Sequence, residues 1–596
     1  LTEIWTPPVD LDSFLNKVYE YYRGKGFACS LLSKIFNFLS FTWVACFILF
    51  ISAFFDIYDF SLSIEASFPQ NPLFYLLVII FVIAWFSLLV RYLLDLRILF
   101  EMKWFYSNKL GIMEEEIPSI MWSSVVDQLV VVPGLCRTGE LTHLQVSQRI
   151  MRKDNYLIAM VNKDILSLKI PFLCSQTRVI TKSLEWSLSL SIFRVLFKQS
   201  RLKHNYEEVL HNPQLRNELT SKVKTSFIVV GILSLMLSPL IFAMLVTYFV
   251  LKYGEELRNK PNSLGFQVWS RYAHWKFREF NELPHDLEDR LNMAISPATS
   301  YVDQFTSHKI ILFARFVLFV CGSIVITILL TSFFNPDILE DDLFLERNGL
   351  WWLAVCGTIL ALCRAFIPED NFVFQPEHYF DQVSTQTHYL PPHWQNNCRS
   401  PETLREFSSL FQYRLYSLFL ECTSVLFVPL VFLISLPHCS EEVVLFIYEN
   451  TRKAEDVGDI CTFADFDFEA HGNSLYGSVV SAPEFKQSRD GKMEQSFINF
   501  SARNPKWKPN ELGKDMINNL NSFVEDNIDN FSPELGQSLT SGGSVHSLGS
   551  SHTQKPETPE NLGNSILALP LNQLAQVHRG FSEKQNSSFS LPEAIQ

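Results

Sequence analysis

The run Thr225–Leu251 reads TSFIVVGILSLMLSPLIFAMLVTYFVL, without a single charged residue. As a straight helix it would measure about 40 Å, against about 30 Å of bilayer hydrocarbon. Pro239 lies near its middle, where proline removes a helical hydrogen bond and crowds the preceding turn, so a bend costs least there. Lys222 and Lys224 precede the run; Lys252, Arg258 and Lys260 follow it. A straight crossing would carry Arg271, Lys276, Arg278 and Arg290 to the lumenal side, against the rule that basic loops stay cytosolic. The reading adopted is a re-entrant segment that bends at Pro239 and returns to the side it left. An ordinary proline-kinked crossing is the alternative.

Five more apolar runs flank it. Ile35–Phe55 and Pro72–Val90 are uncharged and long enough to span a bilayer. Lys17, Arg23, Lys25 and Lys34 precede this pair and Arg91, Arg97 and Lys103 follow it, while the connection carries Asp56, Asp59 and Glu65. That is a hairpin with a lumenal tip. Phe316–Phe334 and Gly349–Cys363 repeat the pattern between Lys309, Arg315 and Arg364, around an acidic tip of Asp337, Glu340, Asp341, Asp342 and Glu346. The last run, Cys422–Leu436, has mixed flanking charge and its own central proline, Pro429, and reads as a second re-entrant segment. The expected fold class is mainly α: a polytopic membrane protein with four transmembrane and two re-entrant helices, both termini cytosolic.

The totals agree with a membrane protein that carries a large polar part. Of 596 residues, 48% are hydrophobic, 52 are Phe, and only 19% are charged, yet mean hydropathy is a modest +0.11. A net charge of −13 argues against nucleic-acid binding. The 11 cysteines form no CxxC pair and no zinc spacing, so no metal or other cofactor is expected. Leu1–Arg23 is mixed and partly acidic, unlike a cleavable signal peptide.

These signals divide the chain into a cytosolic N-terminal segment (1–34), the first hairpin (35–95), a cytosolic region (96–224) and the first re-entrant segment (225–252). Cytosolic helices (253–308), the second hairpin (309–367), a cytosolic linker (368–414) and the second re-entrant segment (415–437) come next. A cytosolic C-terminal region (438–531) and a tail (532–596) complete it. The tail is rich in Ser, Gly, Pro and Asn, as in Ser541-Gly542-Gly543-Ser544, and is expected to be disordered. Leu184–Phe197 alternates like a strand, with an interfacial helix as the other reading.

No phosphate loop, kinase motif, GxSxG elbow or HExxH is present, which removes nucleotide-driven pumping and serine or metal hydrolysis. His388 and His393 bracket two prolines and read as loop residues. The Phe463–Phe468 run, with Asp465 and Asp467, reads as a packing surface. What remains is charge at membrane depth or its edge: Arg315, Arg364, Glu421, Arg258 and Lys260. Each alone would snorkel to the interface. Beside two proline-broken segments, whose freed backbone groups need polar partners, they point to a polar cavity within the membrane. Passage through it would be passive.

Several strings then carry a resemblance. Phe280-Asn281-Glu282-Leu283 with His285 and Arg290, Arg364-Ala365-Phe366-Ile367-Pro368, Tyr389 with Pro392-His393-Trp394-Gln395, and Leu410-Phe411-Gln412-Tyr413 occur in order. Val457-Gly458-Asp459-Ile460-Cys461 with Phe463, and His471-Gly472, complete the series. Over about Trp5 to Pro509 the chain resembles the autophagy-related protein 9 family. The resemblance implies a domain-swapped homotrimer and energy-independent phospholipid scrambling that redistributes lipid between leaflets as the autophagosome membrane expands, without a catalytic residue set. It also implies two partners, the lipid-transfer protein autophagy-related protein 2 and the autophagy initiation kinase complex. The implied location is cytoplasmic vesicles, Golgi or endosomal membranes and the preautophagosomal structure. The implied lipid pathway holds Arg258, Asn259, Lys260, Arg315, Ala361, Arg364 and Glu421, with bends at Pro239 and Pro429. Asn259 replaces a charged residue of the family's basic-basic-acidic pattern, and Ala361 replaces a pore threonine. A membrane scaffold that recruits lipid-transfer and kinase partners, or a passive channel, are the competing functions.

Overall fold

The first hairpin forms because two long apolar helices, Phe27–Phe54 and Pro72–Phe105, can fasten to each other at one polar end. Lys34 and Asp95 make an ion pair of 2.7 Å between the legs. Deeper in, the Trp85 indole donates to Thr42 Oγ1 at 3.1 Å, and the Phe38 ring packs on Trp85 and Tyr92. The outward faces stay bare, with Phe36 and Phe86 about three-fifths exposed. In the computed structural model, residues 10–56, 61–62, 72–135, 141–168, 180–198, 201–259, 266–305, 308–335, 339, 342–344, 347–364, 367, 373–394, 397–454, 456–526, 577–582 and 584–585 are described.

The second hairpin joins His308–Phe334 to Gly349–Arg364. Gly322 faces Leu360 at van der Waals distance, which sets the register of the two legs. Among the described residues nothing covers its other faces at Phe319, Phe333 and Phe334, which are at least 74% exposed. Apolar surface on that scale demands lipid or another protein.

Between the hairpins runs one long helix, Pro213–Asn259. The expected reversal at Pro239 is absent, since the backbone is helical on both sides of the proline without a break. The reason is local. Proline cannot donate to the carbonyl four residues back, Leu235, but the neighbouring Ser238 hydroxyl donates to that oxygen at 2.9 Å. The orphaned group is satisfied and the helix continues. Pro429 is also passed without reversal. The companion helix Arg414–Leu430 relaxes into a π turn at Val431–Ser435 and a 3₁₀ turn at Leu436–Cys439, then resumes as Ser440–Glu449. Wider and tighter turns absorb the lost hydrogen bonds there.

The long and companion helices run antiparallel. At one end Phe227 meets Phe432 edge-on, and Gly231 lets Phe432 and Leu433 approach to about 3 Å of where a Cβ would sit. At the other end the Arg414 guanidinium lies 5.2 Å over the Tyr253 ring. Both ends are tied to the same polar body. Leu219, Val223 and Phe227 are buried with Leu196 and Leu436, and the Ser226 hydroxyl donates to Ser191 O. At the far end Gln267–Trp269 pairs antiparallel with Phe411–Tyr413, directly before the companion helix. Trp275 then donates to Glu185 of the flanking helix Lys182–Leu196, which closes the circuit. Gly231→Val should force the pair apart at a cost of about 1–3 kcal/mol, read as a lower unfolding temperature in detergent. An unchanged temperature would mean that this approach is not tight.

The flanking helix settles the ambiguity over Leu184–Phe197. Leu184, Leu188, Ser191 and Ile192 are buried at helical spacing, while Trp186 faces out, 69% exposed. The tail also departs from expectation. Within 532–596, residues 577–582 and 584–585 are helical, and Val577, His578, Phe581 and Ser582 are buried against folded surface. Four side chains that find complementary partners outweigh the composition around them.

Candidate functional site

Arg315 is exposed near the start of one leg of the second hairpin, and Arg364 is exposed as the last residue of the other. The Gly322–Leu360 register brings them to the same end. Ala361 lies one turn deeper on the Arg364 face, half-buried, with only a methyl group where the resemblance implies a hydroxyl. Glu421 stands elsewhere, half-buried on the companion helix beside a small pocket with Thr181, Ser270, Arg271 and Ser417. It faces the Lys182 amide at the start of the flanking helix, whose Thr181 hydroxyl caps Leu184. Among the described residues no hydrogen bond or ion pair links Glu421 to Arg315 or Arg364. Arg258 and Asn259 close the long helix, but their side chains, and all of Lys260, lie outside the described residues. Pro239 is exposed and Pro429 buried.

Sequence reading missed an aromatic and basic cluster at the far end of the long helix. Lys252 sits 5.4 Å from both the Tyr248 and Tyr253 rings, and Arg414 covers Tyr253. Tyr with Lys or Arg at the end of an apolar helix is the composition of a membrane–water interface. The i, i+4 and i, i+5 spacing of Tyr248, Lys252 and Tyr253 was the available signal.

The residues that carry the resemblance gather instead inside the polar body. Glu282 is buried and takes two bonds from Arg290, at 3.0 and 2.8 Å, while Arg503 approaches at 3.5 Å. Arg290 also donates to the Thr387 and Phe277 carbonyls. Burial alone would raise the Glu282 pKa, but the two guanidiniums hold it well below the usual carboxylate range. Asn281, left-handed at φ 59°, exchanges amide bonds with Asn155 and donates to Ala464 O. Arg152 joins Asp12 of the leading helix, Leu11–Arg23, to the Val457 and Asp459 carbonyls. His388 donates to Glu279 at 2.6 Å and His393 pairs with Glu406 at 2.8 Å, so both histidines are occupied within the fold. Lys492 is half-buried and donates to Lys276 O; desolvation pulls it down to about 7 although Glu279 lies near. A polar cavity of about 520 Å³ opens among Trp122, Glu279, His285, Asp286, Arg290 and Arg503. Its charges largely satisfy one another, which marks them as holding the body together.

A profile described as autophagy protein ATG9 matches residues 3–467. The chain is 35% identical to autophagy-related protein 9 of Dictyostelium discoideum over 86% of its length and 75% of that relative. It is 32% identical to that of Neurospora crassa, covering 85% of this chain and 59% of the other. The Arabidopsis thaliana protein of the same name is 31% identical over 87% and 64%. The chain thus spans between three-fifths and three-quarters of these relatives. The cryo-EM structure of Schizosaccharomyces pombe Atg9 superposes with a TM-score of 0.61 at 31% identity, covering 76% of this chain and 98% of that one.

Proposed function

The chain belongs to the autophagy protein ATG9 family, and on that premise we propose that it is an energy-independent phospholipid scramblase that serves autophagosome expansion. The observation that carries this reading is the long and companion helix pair. It is apolar and exposed along its middle, as at Leu233 and Met236, yet tied at both ends to one cytosolic body. A pair held in that way enters a leaflet and does not cross it. Two crossing hairpins beside it give four crossings, with both termini cytosolic.

Helices that occupy only one leaflet thin the hydrocarbon locally, and charges at their margin let water follow. Simulations put a lone charge at mid-bilayer at roughly 10–17 kcal/mol, so partial hydration of a headgroup's path changes its rate by many orders of magnitude. Arg258, Lys260, Arg315 and Arg364 would hold the phosphate, Glu421 and Asn259 would keep water in the path, and Ala361 would leave room beside them. The acyl chains would stay in lipid throughout. The uncovered faces of the second hairpin are supports for a homotrimer with exchanged elements. Autophagy-related protein 2 would supply lipid to one leaflet, and the initiation kinase complex would engage the cytosolic body. Vesicle, Golgi or endosomal membranes and the preautophagosomal structure are the proposed sites of action.

Reconstitution in liposomes with fluorescent phospholipid tests the activity. Dithionite should bleach nearly all the dye in protein-bearing vesicles; a plateau at half would exclude scrambling. Arg258→Leu with Lys260→Leu should slow bleaching at least several-fold with assembly unchanged. Equal rates would remove both residues from the pathway. Normal autophagy with a scrambling-dead variant would favour the scaffold reading.

A further inference from the structure

The short helix at 577–582 is too short to persist alone, since isolated helices below about 12–15 residues are marginal in water. Its order comes from the groove it fills. The Arg579 guanidinium pairs with Asp381 and donates to Ser384 Oγ at 2.8 Å, both on the helix Pro376–Thr387. Phe581 packs edge-on against Phe523 of the helix Glu511–Asp526, with rings 5.1 Å apart, and Lys584 lies over the same ring. The His578 ring stacks on Tyr476 at 5.4 Å and 22°, and Ser582 bonds the Tyr476 side chain. Tyr476 can take that position because Gly491 has no Cβ to meet its ring.

Two features make this contact conditional. The segment is joined to the body through residues 527–576, a Ser-, Gly-, Pro- and Asn-rich stretch, so release costs no covalent change. His578 is buried with its Nε2 unpartnered, and the group facing it across the contact is another histidine, His388. A proton on His578 would be a buried charge without a counter-ion.

We propose that residues 577–582 form a reversible strap on the cytosolic body, closed while His578 is neutral and released when it is protonated. The inference stands apart from lipid movement. The charged and titratable groups around the contact are His388 beside Glu279, Tyr476 with Asp490 and Glu494 near it, and Asp381 taken by Arg579. Asp381 is already neutralised, and Asp490 and Glu494 are set against Tyr476, so neither side offers His578 a free anion in contact. Burial, with His388 adding to it, takes the docked imidazole down to about 3 from an ordinary 6.5. The released segment therefore binds the extra proton between these values. Docking is at full strength above pH 6.5 and weakens about tenfold for each pH unit below it.

Hydrogen exchange of the full-length protein in detergent, corrected for intrinsic rates, tests the strap at pH 7.5, 6.5 and 5.5. Protection of 577–582, and of its floor at 376–387, should fall about tenfold between pH 7.5 and 5.5, most of it below pH 6.5. His578→Phe should stay docked and lose that pH dependence. Arg579→Asp and Asp381→Arg should each abolish protection at pH 7.5, and together restore it. A strap still protected in Arg579→Asp, a His578→Phe variant with the wild-type pH slope, or no rescue in the double variant would each overturn the proposal.

Discussion

Glu282→Ala should cost the polar body about 3–5 kcal/mol, the range for removing one partner of a buried ion pair. Glu282 and Arg290 are 1% and 4% exposed, so removing the carboxylate takes away two buried bonds at once. Arg290 keeps its carbonyl acceptors at Thr387 and Phe277, but its charge and that of Arg503 are left facing each other. Glu282→Gln keeps the shape and one acceptor while losing the charge, so it should fall between alanine and wild type. Thermal unfolding followed by tryptophan fluorescence checks this; an alanine variant within 1 kcal/mol of wild type would show that the network is dispensable. The pH dependence has a definite sign. A carboxylate held below its ordinary range contributes fully above about pH 4.3 and is lost only as pH falls toward its folded-state value. Wild type should accordingly show this contribution unchanged from pH 8 to 5, and Glu282→Ala should lack it throughout.

Gly472→Ala should be nearly as damaging, although it adds one methyl group. The Gly472 backbone, at φ −58° and ψ 148°, is open to any residue, so the constraint is space and not conformation. A Cβ there would fall against the Phe468 and Val480 carbonyl oxygens and the Ser478 hydroxyl, closer than atoms pack. Two of those three are backbone and cannot turn aside. The preceding residue fixes the loop further: His471 donates through Nδ1 to Lys486 O and accepts from the Thr462 hydroxyl, both at 2.7 Å, while stacking on Phe463 at 4.0 Å. Overpacking costs about 1–3 kcal/mol where neighbours can yield, and more where they cannot. Exchange protection should drop across 462–491 in Gly472→Ala. Equal protection in Gly472→Ala and wild type would refute the steric account.

The charged strings quoted from the sequence were legible as a signature, but not for what they do. Arg290 and Glu282 are eight residues apart and could have faced a cavity; in the fold they face each other. Asp12 lies far along the chain from Arg149 and Arg152, and no periodicity links an N-terminal helix to them. Of the residues proposed for the lipid pathway, Arg315 and Arg364 could be placed at one end from the hairpin alone, because an antiparallel return must bring the two ends together. Glu421 could not be placed, since its setting is made by the flanking helix, which alternates like a strand in the sequence.

By itself, then, the sequence determined the bilayer as the protein's environment and two apolar hairpins with basic flanks at their open ends. Runs without charge can only be buried in lipid or protein, and basic flanks resist translocation. The tertiary structure alone decided what the central prolines do. A missing amide ends a helix only when the carbonyl it abandons finds no other donor. At Leu235 the Ser238 hydroxyl supplies one, so the run that sequence reading folded back on itself stays a single helix, held at both ends by the body beneath it.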